Sequence, residues 1–417
     1  MRVVPSGWQA RTLADVARWG SGGTPTAGRS DYYGGPIPWA VIGDLTDGLV
    51  RTTQKSITAK ALAESSATLV PPGAVLIAMY GSIGKLGIAE IEMATNQAIA
   101  FALPREDIAP RYLFHYLASQ RDQLAGAGKG ATQRNISQTI LRAWPIPVPP
   151  LDEQRRIVDI LEDHLSRLDA ADATLRAIVA KSRALDRSVM DQLVWGTGAP
   201  TRTVEELLRE PMRNGFSARA STHGDVRILT LSAVTRRTFS DDCTKLTAAD
   251  RDRVKGLWLE PGDILVQRSN TPELVGSSAL YQGPPNWAVF PDLLIRLRTN
   301  TDQVRPEYLC RVLQTERSHR ALRAKAKGLA GSMPKVDQAA IGSLPVPFLT
   351  ADEQDAVLQR AAELDAALGG INEAVDIATR RSRSLRRALL AAAFSGRLTG
   401  RASDMDLAEE LVTSEAR

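Results

Sequence analysis

The sequence predicts an α+β protein built twice: two globular domains joined by two long antiparallel helices, which form a coiled-coil spacer in a pseudo-two-fold internal repeat. Three observations predict it. The stretch 145–196 recurs at 345–396, with Asp152-Glu153-Gln154 returning as Asp352-Glu353-Gln354, 200 positions on. The same displacement joins Leu168 to Leu368, Ser182 to Ser382, Arg187 to Arg387 and Gly196 to Gly396. No proline interrupts 151–195 or 351–395, and both stretches carry apolar residues at heptad spacing. Ahead of each, short apolar runs are broken by Gly and Pro, the pattern of short strands and turns. The boundaries read as 1–150 for the first globular domain and 151–196 for its helix. Residues 197–350 and 351–396 form the second pair, and 397–417 a C-terminal tail.

Along the first half, residues 8–19 read as a strand or short helix entering the turn Gly20-Ser21-Gly22-Gly23-Thr24-Pro25. Residues 38–44 read as a buried strand. Pro71-Pro72-Gly73 is a turn into the apolar strand 74–79, and residues 80–85 form a loop. Residues 110–124 have helical spacing, followed by a small-residue loop at 125–134 and a short segment at 135–141. The second half keeps this order. Pro72-Gly73 returns as Pro261-Gly262, Val41-Ile42 as Thr230-Leu231, Pro110-Arg111-Tyr112-Leu113 as Pro306-Glu307-Tyr308-Leu309, and the small-residue loop as 328–333. Offsets drift where loops change length, so the halves share a framework and differ in the segments that usually carry specificity.

The helices come last in each half. Leu161, Leu168, Leu175, Ile178 and Leu185 mark the pairing seam of the first, and Leu364, Leu368, Val375, Leu385 and Leu389 that of the second. Thr350 and Glu353 predict a capping box at the second start, where the first has Pro150. Each helix follows a globular half with no neighbour to pack on, so antiparallel pairing is the simplest way to bury both seams. Small residues on the seam (Ala171, Ser182, Ala361, Ala378, Ser382) allow close approach but bury little area, so partner helices are expected to join the bundle.

Composition bounds the function. A balance of 43% apolar and 24% charged residues is that of a globular protein, and a net charge of +5 favours an acidic partner. Nucleic acid is the first candidate, although a basic enzyme fits the charge equally well. Two cysteines make neither a disulfide framework nor a zinc cluster. With no signal-peptide pattern and no apolar run long enough to span a bilayer, the expected location is cytoplasmic, away from membranes. Catalytic motifs are missing. Gly84-Lys85 and Gly128-Lys129 lack the rest of a phosphate-binding loop, and His115, His164, His223 and His319 have no metal spacing. Gly283-Pro284-Pro285-Asn286 is a turn, not an amino-methyltransferase motif. No catalytic residue and no metal site is expected.

Three loop pairs suit DNA. Tyr80, Ser82 and Lys85 follow one apolar strand, and Gln267, Arg268, Ser269 and Asn270 follow its counterpart. Amides pair with adenine and Arg or Lys with guanine at base edges. Lys129, Gln133, Arg134 and Asn135, with Lys327, Ser332 and Lys335 in the second half, combine cations with glycine, which suits approach to phosphates. Thr24 and Asn214, in the opening loops, complete the set. Arg380, Arg381, Arg383, Arg386 and Arg387 near the end of the second helix suit equally a solvated face, an acidic partner or DNA.

The repeated Pro-x-Pro and Glu-Gln entry into a long helix resembles the specificity subunit of type I restriction–modification systems. Further points of similarity are Gly22-Gly23-Thr24-Pro25 after Trp19, Ile37-Pro38-Trp39 with Gly43-Asp44-Leu45, and Gly262-Asp263-Ile264-Leu265 with Arg268. The resemblance covers the chain to about residue 400, and it implies that each globular half is a target-recognition domain reading one half of a bipartite, asymmetric site in double-stranded DNA. It also implies that the helices set the spacing and dock two methyltransferase subunits, with restriction subunits joining the full complex. S-adenosylmethionine, ATP and Mg would then belong to those partners, with no cofactor bound by this chain. The second half lacks the Gly-Gly-Thr-Pro and Gly-Ser-x-Gly-Lys forms. Rival expectations are a specificity protein of another methylation-based defence system, an enzyme acting on nucleic acid, and a helical scaffold that binds no DNA.

Overall fold

In the computed structural model, residues 4–128, 135–237, 239–328 and 333–399 are described. Four helices organise it: α1 (Pro110–Ser119), α2 (Leu151–Trp195), α3 (Pro306–Gln314) and α4 (Ala351–Phe394). Two compact units divide the chain. One takes residues up to Leu175 and from Asp376 onward, the other Arg176–Val375, so each unit holds one end of both long helices.

The first unit is built on a five-stranded sheet in the order Ala17–Ser21, Ile99–Pro104, Val75–Ala78, Leu86–Ala89, Gly48–Val50. Its strands pair antiparallel except for the last, which runs parallel to its neighbour. Val75 and Ile77 face α1, packing with Tyr112, Leu113 and Leu117. Leu76 and Ala78 point the other way, onto Val70, Met93 and Phe101. Both faces are therefore buried, which is why 74–79 is apolar without alternation. A second, four-stranded sheet (Ser56–Ile57, Tyr33–Ala40, Met93–Thr95, Leu69–Val70) covers that other side.

The second unit has a four-stranded sheet ordered Arg213–Asn214, Leu294–Leu297, Ile264–Gln267, Ser278–Leu280, and α3 packs on it through Tyr308, Leu309, Val312 and Leu313. A two-stranded ribbon, Val226–Leu229 with Thr244–Thr247, stands beside it.

The repeated Asp-Glu-Gln has a structural meaning. Gln154 is fully buried at the start of α2. Its Oε1 accepts the Ala109 N–H at 2.9 Å, and its Nε2 donates to the Asp107 and Pro149 carbonyls, both at 2.9 Å. Gln354 repeats this at the start of α4, accepting from Arg305 N at 2.8 Å and donating to Gln303 O at 3.1 Å and Leu349 O at 2.9 Å. Ala109 and Arg305 are the N-caps of α1 and α3. One amide thus ties each long helix to the helix beneath it. Tyr112 and Tyr308 add a repeated bond to the Pro147 and Pro347 carbonyls, at 2.6 and 3.0 Å. The capping box forms: Glu353 accepts from Thr350 N at 2.8 Å and from its Oγ1 at 2.9 Å.

Inside each unit the long helices meet as expected, the start of one against the end of the other. In the first unit Leu161 and Leu168 pack with Leu385, Leu389 and Ala392. In the second, Met190 and Val194 pack with Val357, Ala361 and Leu364. Two seam assignments are corrected: Ile178 is 37% exposed and Leu185 52%. An α-helix of 3.6 residues per turn drifts about 20° per heptad from a strict seven-residue repeat, so the row through His164, Ile178 and Leu185 turns outward while Ser182, on the row from Leu161, stays buried. Met190 and Val194, off both rows, take over. A second correction concerns 110–124, where one helix was expected. The chain breaks at Gln120 into α1 and Arg121–Ala127, and the Gln120 N–H bonds the Tyr116 and Leu117 carbonyls.

Of the arginine run, Arg386 is engaged, meeting Asp169 at 2.8 Å and Asp172 at 3.4 Å. Beyond Gly396, Leu398 is buried against the first core and the Thr399 hydroxyl donates to Glu153 at 2.9 Å. Residues 400–417 of the tail lie outside the described residues. No helix among the described residues is long and apolar enough to cross a membrane.

Candidate nucleic-acid interface

The loops singled out as separate candidates are brought together in each unit by a duplicated set of backbone hydrogen bonds. In the first, Met79 N–H donates to Ala98 O at 2.8 Å, Ile136 N–H to Met79 O at 3.1 Å and Gly22 N–H to Ile99 O at 3.1 Å. In the second, Arg268 N–H donates to Leu293 O at 2.8 Å, Val336 N–H to Arg268 O at 2.9 Å and Gly215 N–H to Leu294 O at 3.2 Å. Bridges Tyr80–Asn135 and Ser269–Lys335 extend the match. The chain reads Met79 to Arg268 as one position and Ile136 to Val336 as another, so the wiring is the same although the residues are not.

In the first cluster, Thr24, Ser82 and Asn135 are exposed, and Tyr80 is 41% exposed, an unusual state for an aromatic ring. Gly81 and Gly84 hold φ of +64° and +80°, which lets the loop turn back below the tyrosine. Lys85 is partly buried, its ammonium 3.2 Å from the Ile42 carbonyl. The glycines before Thr24 are also required by packing. A Cβ on Gly22 would lie 2.0 Å from Thr95 O, and one on Gly23 2.2 Å from the Ser66 backbone.

In the second cluster two assignments are corrected. Gln267 is fully buried: its Nε2 donates to Leu231 O at 3.2 Å and Thr235 Oγ1 at 2.8 Å, while its Oε1 accepts from Asn270 Nδ2 at 2.7 Å. Ser269 is 2% exposed. Both hold the loop instead of facing a partner, since exposing the Gln267 amide would break its three internal hydrogen bonds. Asn270 is half-buried and tied to Gln267. Asn214 is exposed and accepts from Gln338 Nε2 at 3.2 Å. Lys327 meets Asp337 at 3.2 Å, and the Ala340 N–H together with that ammonium holds the Asp337 carboxyl below its usual range. Lys335 is exposed, and Arg268 is half-buried. Lys129, Gln133, Arg134 and Ser332 lie outside the described residues.

Sequence reasoning missed the segments between the loops, 96–99 and 291–294, whose carbonyls join the clusters. Their signal was the turn pattern at Asn96 and at Pro291-Asp292. It also missed Gln338, which links the opening loop to the third.

Two equivalent loop clusters, offering cations, amides and an exposed tyrosine, each in a unit with paired long helices, define a duplicated recognition protein. Residues 5–177 match the type I restriction modification DNA specificity domain. The specificity subunit of type I restriction enzyme StySPI from Salmonella potsdam is 25% identical over 97% of this chain and 92% of its own length. That of EcoR124I/EcoR124II from Escherichia coli is 31% identical over 36% of this chain, and the aligned part is only 39% of that protein. A solved chain from work on complex assembly and conformational transition of the type I R-M system has the same fold. Its TM-score is 0.74 at 17% identity, covering 95% of this chain and 100% of that one. Over nearly its whole length the chain is thus similar to type I restriction–modification specificity subunits.

Proposed function

We propose that the chain is the DNA-recognition subunit of a type I restriction–modification complex, with each globular half reading one part of a bipartite, asymmetric site. The observation that carries this reading is the duplicated loop wiring: one backbone network presents two different sets of side chains, which is what an asymmetric site requires. The helices act as the gauge. At 45 residues, α2 is about 67 Å long at 1.5 Å per residue. One turn of DNA is about 34 Å, so such a rod suits recognition elements one to two turns apart. The chain is non-catalytic in this reading. Two methyltransferase subunits dock on the helices and methylate adenine with S-adenosylmethionine, and restriction subunits using ATP and Mg join them in the cytoplasm.

Methylome sequencing of the host with and without the chain tests this. Loss of adenine methylation at one gapped, asymmetric motif is the expected result. Loss at an ungapped motif, or no loss, would refute two-part readout. Exchanging residues 200–344 for those of another family member should change the bases of one half-site alone.

A further inference from the structure

We infer that Arg268 reads a guanine in the half-site recognised by the second globular domain, with Lys335 beside it holding a backbone phosphate. The inference rests on the DNA-recognition reading above and names the chemistry of one of its two sites.

Of the four polar residues that follow the strand Ile264–Gln267 or end it, three are engaged internally: Gln267 and Asn270 by their amide bonds, Ser269 by burial. The Lys327 ammonium faces Asp337, and the Asn214 carbonyl accepts from Gln338. Neither the Arg268 guanidinium nor the Lys335 ammonium has a hydrogen bond or ion pair among the described residues.

Geometry then separates the two cations. The backbone of Arg268 is pinned on both sides, its N–H to Leu293 and its C=O to Val336, and its side chain leaves that point half-buried. A planar fork launched from a fixed point loses little further freedom on binding, and it matches the O6 and N7 acceptors of guanine with two bonds. Lys335 is exposed, pinned through both backbone groups to Lys327 at 2.9 Å, and presents a point charge suited to phosphate. Folding does not require the cation. The equivalent position of the first half is Met79, 4% exposed and held by the same two backbone bonds. The guanidinium is therefore an addition to the framework of the second half.

Methylome sequencing of the intact complex carrying wild-type chain, Arg268→Met, Arg268→Lys or Lys335→Gln tests this. Met is the residue the first half carries here, so the variant keeps a side chain the framework accommodates, and continued readout of the other half-site reports folding. The half-site of the second domain is the one that changes when residues 200–344 are exchanged. It should contain a guanine, and Arg268→Met should cut discrimination at that position alone by about 10- to 100-fold. Arg268→Lys should keep the charge and still relax the position. Lys335→Gln should weaken recognition evenly, lowering the salt slope of binding by about one, with no position relaxed. Undiminished guanine preference in Arg268→Met, or no guanine in that half-site, overturns the inference while leaving the proposed function standing. A wild-type complex without any gapped motif instead removes the proposed function and this inference with it.

Discussion

The two globular halves share a backbone and disagree about what fills it. In the first, Phe101 lies opposite Leu76 on the neighbouring strand, and Ala74 and Leu103 continue the apolar layer. The Phe101 ring lies over Gly20, where a Cβ would come within 2.3 Å of it. In the second half the same register places Arg296 opposite Leu265, with Asp263 where Ala74 was and Arg298 where Leu103 was. Arg296, 2% exposed, meets Glu210 at 3.0 Å, and Arg298 Nε donates to Asp263 Oδ1 at 2.7 Å. An oily layer has become an ionic one under an unchanged ladder. What persists between the halves is therefore backbone wiring with the glutamine and tyrosine ties, while the side chains of this layer change. That is the division expected where one scaffold must present two specificities.

The comparison can be broken by moving residues between halves. Asp263→Ala installs the residue of the first half, yet should cost about 3 kcal/mol, because it leaves the largely buried Arg298 with the Trp258 carbonyl at 3.1 Å and the longer contacts to Glu210 and Glu260, at 3.4 and 3.5 Å. Ala74→Asp should cost at least as much, burying a carboxylate with no partner. Hydrogen exchange of the strands Ile264–Gln267 and Val75–Ala78 measures each locally. If either swap is neutral, the two layers are not alternative solutions of one framework.

Gln154→Leu and Gln354→Leu should each cost about 2 kcal/mol, since each removes the acceptor of a part-buried N–H and loses two donated bonds. Their second effect bears on the gauge. With the tie cut, a complex that requires one gap length should accept neighbouring lengths, with the bases of both half-sites unchanged. A variant that altered a half-site would show that the glutamine shapes the loops and not the helix entry.

Much of this was legible in the sequence. The heptads and the Asp-Glu-Gln repeat located both long helices, because a period of 200 survives without gaps where helices tolerate no insertion. The loop pairs were legible as sets, because turn residues recur after equivalent strands. Individual contacts were not. Gln267 looks like an adenine reader by type, and only its depth in the second unit shows it bonded to Leu231, Thr235 and Asn270. Ile178 and Leu185 fit the heptad but lose the seam to helical drift, which residue spacing alone does not record.

Smaller effects sharpen the comparison at the helix entries. Thr350→Ala removes the capping box of α4 and should cost about 1 kcal/mol. The entry of α2 has Pro150 at that position and no hydroxyl to lose, so Pro150→Thr should add a cap and gain a few tenths of that. Thermal unfolding of the two variants against wild type reads both. Equal losses would mean that capping does not distinguish the entries.

The smallest expected effect is a pH dependence belonging to the first unit. Glu162 on α2 is shared by His115 at 3.2 Å and Arg111 at 2.6 Å, and these partners draw its carboxyl down from 4.5 to about 2. The second unit meets the same need with a single pair, Arg311 and Asp365. A carboxyl depressed in the folded state contributes stability that is fully present above pH 4.5 and fades as pH falls toward 2. Because Glu162 keeps 36% of its side-chain exposure, solvent screening limits the contribution to below about 1 kcal/mol. Acid titration followed by hydrogen exchange along α1 should show this loss in wild type and its absence in Glu162→Gln. The α3 region should respond identically in both proteins, and a difference there would mean that the variant acts on the whole chain and not on this contact.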